Sequence, residues 1–119
     1  RFGARQAGGK LVSRGVRILA PAGAEVRAIA RGRVAYADWL RGFGLLLIVD
    51  HGEGYMTLYG YNETLLKDTG DWVAPGDVIA TVGDSGGQAE ASLYFELRRG
   101  RKPENPRRWV TRQPGGGAR

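Results

Sequence analysis

Glycine and turn residues break this chain at roughly eight- to twelve-residue intervals, and no long apolar run at helical spacing survives between the breaks. A chain patterned in this way can bury a core only by packing short strands against one another. Twenty glycines against five prolines point the same way. The expected fold class is therefore all-β, an antiparallel sandwich or barrel-like arrangement.

The clearest strand is Ser92-Leu93-Tyr94-Phe95-Glu96-Leu97-Arg98. Leu93, Phe95 and Leu97 alternate onto one face, as in a half-buried strand, and Ser92, Tyr94, Glu96 and Arg98 take the other. The glycine-rich run Gly83 to Ala91 precedes it, a composition that lets another group approach the backbone closely. The polar face of this strand is expected to floor a groove.

Leu11 to Leu19, Glu25 to Ala30 and Arg33 to Trp39 read as strands, with Pro21-Ala22-Gly23 and Arg31-Gly32 as turns. Leu45 to Asp50 is apolar enough for burial on both faces, and His51 to Gly54 is the turn into its hairpin partner Tyr55 to Tyr61. Asn62 to Lys67 is expected to form a single helical turn. Trp72 to Ala80 is a strand–turn–strand around Pro75-Gly76. Asn105-Pro106 opens a return segment that ends at Trp109.

The 119 residues, 42% of them apolar, suffice for one core. Residues 1–10 are expected to be a lead-in from a missing upstream region, 11–110 the domain, and 111–119 a glycine-rich disordered tail. The chain does not open with Met and reads as an excised piece, with any export signal upstream. Its longest apolar run, Leu45 to Val49, is too short to span a bilayer, so no membrane insertion is expected of this fragment. The net charge of +6 favours acidic partners. Arg98, Arg99, Arg101, Arg107 and Arg108 read as a solvated basic edge, because no nucleic-acid-binding motif accompanies them.

Metal and nucleophile chemistry find little support in the residues. There is no cysteine, which removes thiolate sites and disulfides. The single histidine, His51, stands among glycines and reads as a turn residue, far short of the three ligands a catalytic zinc needs. Ser13, Ser85 and Ser92 lack a base tied to them by spacing, and Ser85 reads as a flexible loop serine. The glycine loop lacks the Gly-Lys-Ser/Thr of a phosphate cradle, and no lysine sits at a carrier-type hairpin tip. No cofactor is expected. Tyr59, Tyr61, Tyr94 and Arg98 are residue types that dominate protein interfaces, and recognition is the chemistry left over.

Three segments resemble the lysostaphin/LytM-type zinc endopeptidases of peptidoglycan. Ser13-Arg14-Gly15-Val16-Arg17 before Ala20-Pro21-Ala22-Gly23 stands where the family has His-x-x-x-Asp before its turn. Tyr59-Gly60-Tyr61 matches its Tyr-x-His, and Ser92-Leu93-Tyr94-Phe95-Glu96 its His-x-His-Phe-Glu. Gly76-Asp77-Val78-Ile79-Ala80 is shared, and the likeness runs from Leu11 to Trp109. It implies a LytM-type barrel-sandwich with a groove over the central sheet. On this alignment Ser13, Arg17 and Tyr94 occupy former zinc-ligand positions, and Tyr61 and Ser92 former catalytic ones. A guanidinium such as that of Arg17 has no lone pair to offer a metal.

With Ala37-Asp38-Trp39-Leu40, Leu58-Tyr59-Gly60-Tyr61-Asn62 and Ser85-Gly86-Gly87-Gln88, the chain is similar to the degenerate LytM-type activators of N-acetylmuramoyl-L-alanine amidases. This resemblance implies a non-catalytic, periplasmic protein that binds the regulatory helix of a zinc-dependent amidase in cell division. The groove positions it implies are Arg14, Arg17, Phe43, Tyr61, Tyr94 and Arg98, with the arginines meeting acids on that helix. An upstream coiled coil of the same chain would regulate access. Two alternatives stay open: a peptidoglycan-binding module with no amidase, and a residual peptidoglycan hydrolase.

Overall fold

The computed structural model describes residues 15–100 and the backbone of 102–104. Ser13, Arg14, the return segment Asn105 to Trp109, the lead-in 1–10 and the tail 111–119 lie outside the described residues.

Every regular element among the described residues is a strand. In chain order they are β1 (Val16–Leu19), β2 (Glu25–Arg27), β3 (Gly32–Leu40), β4 (Gly44–Gly52) and β5 (Tyr55–Asn62). They continue as β6 (Thr64–Leu65), β7 (Trp72–Val73), β8 (Val78–Thr81), β9 (Ser92–Arg99) and β10 (Lys102–Glu104). The large sheet runs β1-β9-β5-β4-β3-β7, with β10 also on β9, and the small sheet runs β2-β8-β6. All pairings are antiparallel.

The core fills the space between the sheets. Leu47, Val49, Tyr59, Phe95 and Leu97 project from the large sheet onto Val26, Ile79, Ala80 and Val82. β4 is buried on both faces, as its composition requires: Leu47 joins this core while its neighbour Leu46, also buried, lies outside it. Leu58, the cross-strand partner of Glu96, is buried on that second face too.

Three expectations need correction. The helical turn over Asn62 to Lys67 is instead the short strand β6, which pairs with β8 and continues through a bond from Leu66 N to Ile79 O at 2.8 Å. β8 has a free edge there, and pairing satisfies more backbone groups than one isolated helical turn would. His51 is not in the turn: β4 runs on to Gly52, and Glu53-Gly54 bend the chain with positive φ. Finally, β9 is not half-buried. Ser92 and Glu96 on its polar face are both 0% exposed: β1 and β5 flank the strand, Arg17 of β1 lies on Ser92, and Tyr94 and Arg98 of β9 itself lie on Glu96.

The Pro75-Gly76 turn forms as expected, closed by Asp77 N to Ala74 O at 3.0 Å with Gly76 at φ 88°. Its two arms do not pair with each other. β7 adds to the edge of the large sheet and β8 enters the small one, so this turn carries the chain between layers.

Candidate functional site

The register of three strands assembles the site. Tyr94 on β9 lies opposite Arg17 on β1 and Gly60 on β5, so a cation, a phenol and a gap share one row on one face. The next rows along β9 pair Ser92 with Leu19, Glu96 with Leu58, and Arg98 with Met56.

Two glycines make room for the Tyr94 ring. A Cβ on Gly15 would lie 2.8 Å from Tyr94 Cζ, and one on Gly60 would lie 3.5 Å from Tyr94 Cβ. Into the same space come Phe43 from the β3–β4 connection and Tyr61 from the end of β5. Their rings lie 5.4 Å and 5.6 Å from that of Tyr94, in tilted packing. Tyr61 adopts φ 68°, a left-handed conformation that bulky residues rarely take. Its N–H donates to Phe43 O at 2.8 Å, which holds both rings at the site.

Beneath the aromatic trio lies a charged web that sequence reasoning left unassigned. Glu96 is fully buried. The Tyr94 hydroxyl donates to its Oε1 at 2.6 Å, and Arg98 Nε and Nη2 reach its Oε2 at 2.8 and 2.7 Å. Arg98 is therefore already paired, where the sequence suggested a cation free for a partner. The available signal was spacing: Tyr94, Glu96 and Arg98 alternate on one strand, so their side chains stand in a line. Burial, with the Glu96 carboxylate beside it, drives the Tyr94 phenol well above the usual tyrosine range.

Arg17 is held differently. Its Nε donates to the buried Ser92 hydroxyl at 3.1 Å, and its side chain is exposed. Among the described residues the ion pairs are Arg27–Glu25 and Arg98–Glu96, so Arg17 carries its charge to the surface.

The side chains gathered here do not suit a divalent metal ion. Arg17 has no lone pair and repels a cation, and the Tyr94 oxygen stays protonated and engaged with Glu96. Among the described residues no group of three or more His, Cys, Asp and Glu could hold one.

His51 belongs to another part of the molecule. Its Nδ1–H donates to Arg31 O at 2.7 Å, and Nε2 meets Thr57 Oγ1 at 2.7 Å. Thr57 in turn touches the buried Tyr59 hydroxyl at 2.9 Å, which accepts from Ile29 N at 3.4 Å. Thr57 pairs with Leu97 and Tyr59 with Phe95, on the core face of the sheet. His51 thus sits across the sheet from Ser92 and cannot serve it as a base.

Ser85 also departs from expectation. It is a staple rather than a flexible loop residue: it accepts from Leu45 N at 3.0 Å and donates to Asn62 O at 2.6 Å. That pins the glycine-rich loop to β4, which Phe43 precedes, and to β5, which carries Tyr61. Gly44, at φ 69°, lies against Ser85 so closely that any Cβ there would collide with it.

A large strand-paired sheet, a small sheet behind it, and a row of side chains across β1, β9 and β5 define a LytM-type peptidase domain. The chain belongs to peptidase family M23, which it matches over residues 11–106. It is 51% identical over 112 residues to the murein hydrolase activator EnvC of Escherichia coli K12, covering 94% of this chain and 26% of that protein. It is 38% identical over 110 residues to the murein hydrolase activator NlpD of the same strain, covering 92% of this chain and 28% of that protein. The chain therefore spans about a quarter of the length of these relatives. Among solved structures, it resembles the catalytic domain of lysostaphin from Staphylococcus simulans with a TM-score of 0.79 and 22% identity. That match covers 84% of this chain and 80% of the other. A point mutant of the catalytic domain of the prophage-encoded M23 protein EnpA from Enterococcus faecalis gives a TM-score of 0.79 at 24% identity, covering 89% of this chain and 85% of the other. These two likenesses concern the fold.

Proposed function

We propose that this domain activates a zinc-dependent cell-wall amidase without cutting peptidoglycan itself, on the periplasmic side of the envelope. Its groove captures the regulatory segment of the amidase and holds that segment away from the catalytic centre. The observation that carries this reading is the row Arg17–Tyr94–Gly60 with Phe43 and Tyr61 beside it, a surface of rings and fixed cation. Its kinship with proteins named murein hydrolase activators supports the same reading.

Rings supply apolar area and a cation supplies direction, which is the composition of a groove for an amphipathic helix. Capture shifts the amidase toward its open state only by the difference in affinity between the released and the plugged segment. An upstream coiled coil in the longer protein would control access to the groove.

The test mixes this chain with an amidase of the same organism and follows dye release from labelled peptidoglycan, each protein alone serving as control. Release only from the mixture, lost in Tyr94→Ala at unchanged melting temperature, is the expected result. Release by the chain alone would instead make it a hydrolase. Retention on purified sacculi without any stimulation would make it a cell-wall-binding module.

A further inference from the structure

Among the described residues two guanidiniums stand on the face that carries Tyr94, and their electrostatic states differ. Arg98 places Nε and Nη2 within 2.8 and 2.7 Å of one oxygen of Glu96, a carboxylate that is 0% exposed. Its charge is cancelled at contact distance, and a second carboxylate brought to it would also meet the repulsion of Glu96. Arg17 binds a neutral hydroxyl instead. The Nε contact with Ser92, itself 0% exposed, orients the guanidinium plane but cancels no charge. Among the described residues no acid pairs with Arg17, and its side chain is exposed.

We propose that Arg17 is the residue that reads an acid on the captured segment. On this assignment the segment is a helix carrying an Asp or Glu within one turn of an apolar residue seated against Tyr94, Phe43 and Tyr61. The inference rests on the capture reading above and names the chemistry of the ligand. The spacing supports it. Arg17 and Tyr94 are direct cross-strand partners, about 5 Å apart at the backbone. Side chains three or four residues apart on a helix are separated by about the same distance, 5–6 Å. One helical turn can therefore lay a carboxylate on the Arg17 fork and an aliphatic or aromatic side chain on the rings. Arg98 is then a positioning residue. It neutralises Glu96, which in turn holds the Tyr94 hydroxyl and so sets the ring that the helix meets.

The decisive experiment compares this chain with its Arg17→Gln, Arg98→Gln and Arg98→Lys variants. Each is measured for melting temperature and for stimulation of an amidase of the same organism at 50 and at 300 mM NaCl. Wild type is expected to stimulate, with less effect at high salt. Arg17→Gln should melt about 5 °C below wild type, since it removes one part-buried hydrogen bond to the Ser92 hydroxyl and strands no charge. It should need about tenfold more protein for the same stimulation and lose the salt response. Arg98→Gln should melt about 10 °C lower, because it strands a buried carboxylate. Arg98→Lys restores the charge and should recover both fold and stimulation.

Wild-type-like stimulation and salt response in Arg17→Gln, with stimulation lost in a stably folded Arg98→Lys, would overturn the assignment. Loss of sacculus binding by Arg17→Gln with no amidase present would also overturn it, by making a peptidoglycan carboxylate the ligand. Failure of wild type itself to stimulate would sink the capture reading and this assignment together, an outcome distinct from the other two.

Discussion

Tyr94 donates its hydroxyl to Glu96, two residues along the same strand, at 2.6 Å. The contact joins a half-buried aromatic ring of the groove to a carboxylate with no access to water. The placement of that ring and the stability of the sheet therefore meet in one hydrogen bond. Replacing Tyr94 by Phe keeps the ring and leaves Glu96 Oε1 without its donor, which should cost about 1–3 kcal/mol. The urea midpoint should fall with an unchanged m-value. An unaltered midpoint would mean that Arg98 alone satisfies Glu96.

Ser85 joins the glycine-rich loop to β4 and β5 through Leu45 N and Asn62 O. Ser85→Ala should cost about 1–3 kcal/mol, since the Leu45 amide loses its acceptor. The specific sign is local: amide exchange at Leu45 should speed up more than exchange at Val49 in the core. Equal acceleration at both would point to global destabilisation instead.

The single histidine gives a pH signature. Burial holds the folded-state pKa of His51 below its ordinary value of 6.5, against the opposing pulls of the Arg31 carbonyl and Asp50. The folded chain thus prefers neutral His51, and as the pH drops the unfolded chain binds this proton first. Stability should be intact above about pH 6.5 and should fall below it until the folded-state pKa is reached, at up to about 1.4 kcal/mol per pH unit. Urea titrations at pH 7.5 and 5.5 should show the loss, and His51→Gln should remove it. A pH-independent midpoint in wild type over that interval would contradict the burial argument.

Tyr61 stores backbone strain at the groove with φ 68°. Tyr61→Gly relieves about 1 kcal/mol of that strain but forfeits the ring contact with Tyr94, worth about 0.5–1.5 kcal/mol. The variant should fold with stability within about 1 kcal/mol of wild type and yet lose much of its partner capture. Full amidase stimulation by Tyr61→Gly would remove this ring from the binding surface.

Much of the architecture was legible before any coordinates. Strand alternation in Ser92 to Arg98, the two-sided apolar run Leu45 to Val49 and the Pro75-Gly76 turn all encode their local geometry in residues close together, where period and turn chemistry act. The all-β class follows from them, and it stands. The resemblance also pointed to Phe43, Tyr61 and Tyr94, which the fold brings into ring contact, and to Arg17, which the strand register sets opposite Tyr94.

What local pattern could not supply was the environment of each polar group. Whether Glu96 faces water or is sealed beneath rings depends on which strands flank β9, and those strands, β1 and β5, lie far from it in sequence. The different fates of Arg17 and Arg98 were hidden for the same reason: the one finds a hydroxyl across β1–β9, the other a buried acid on its own strand. Likewise β6 is a strand only because β8 offers it an edge, and His51 is a structural residue only because Arg31 and Thr57 come to meet it. Composition and spacing determined the kind of fold, while the groove residues came from the family resemblance. Long-range strand pairing decided which charges are spent inside the molecule and which are left at its surface, because burial and charge compensation are properties of neighbours in space rather than in sequence.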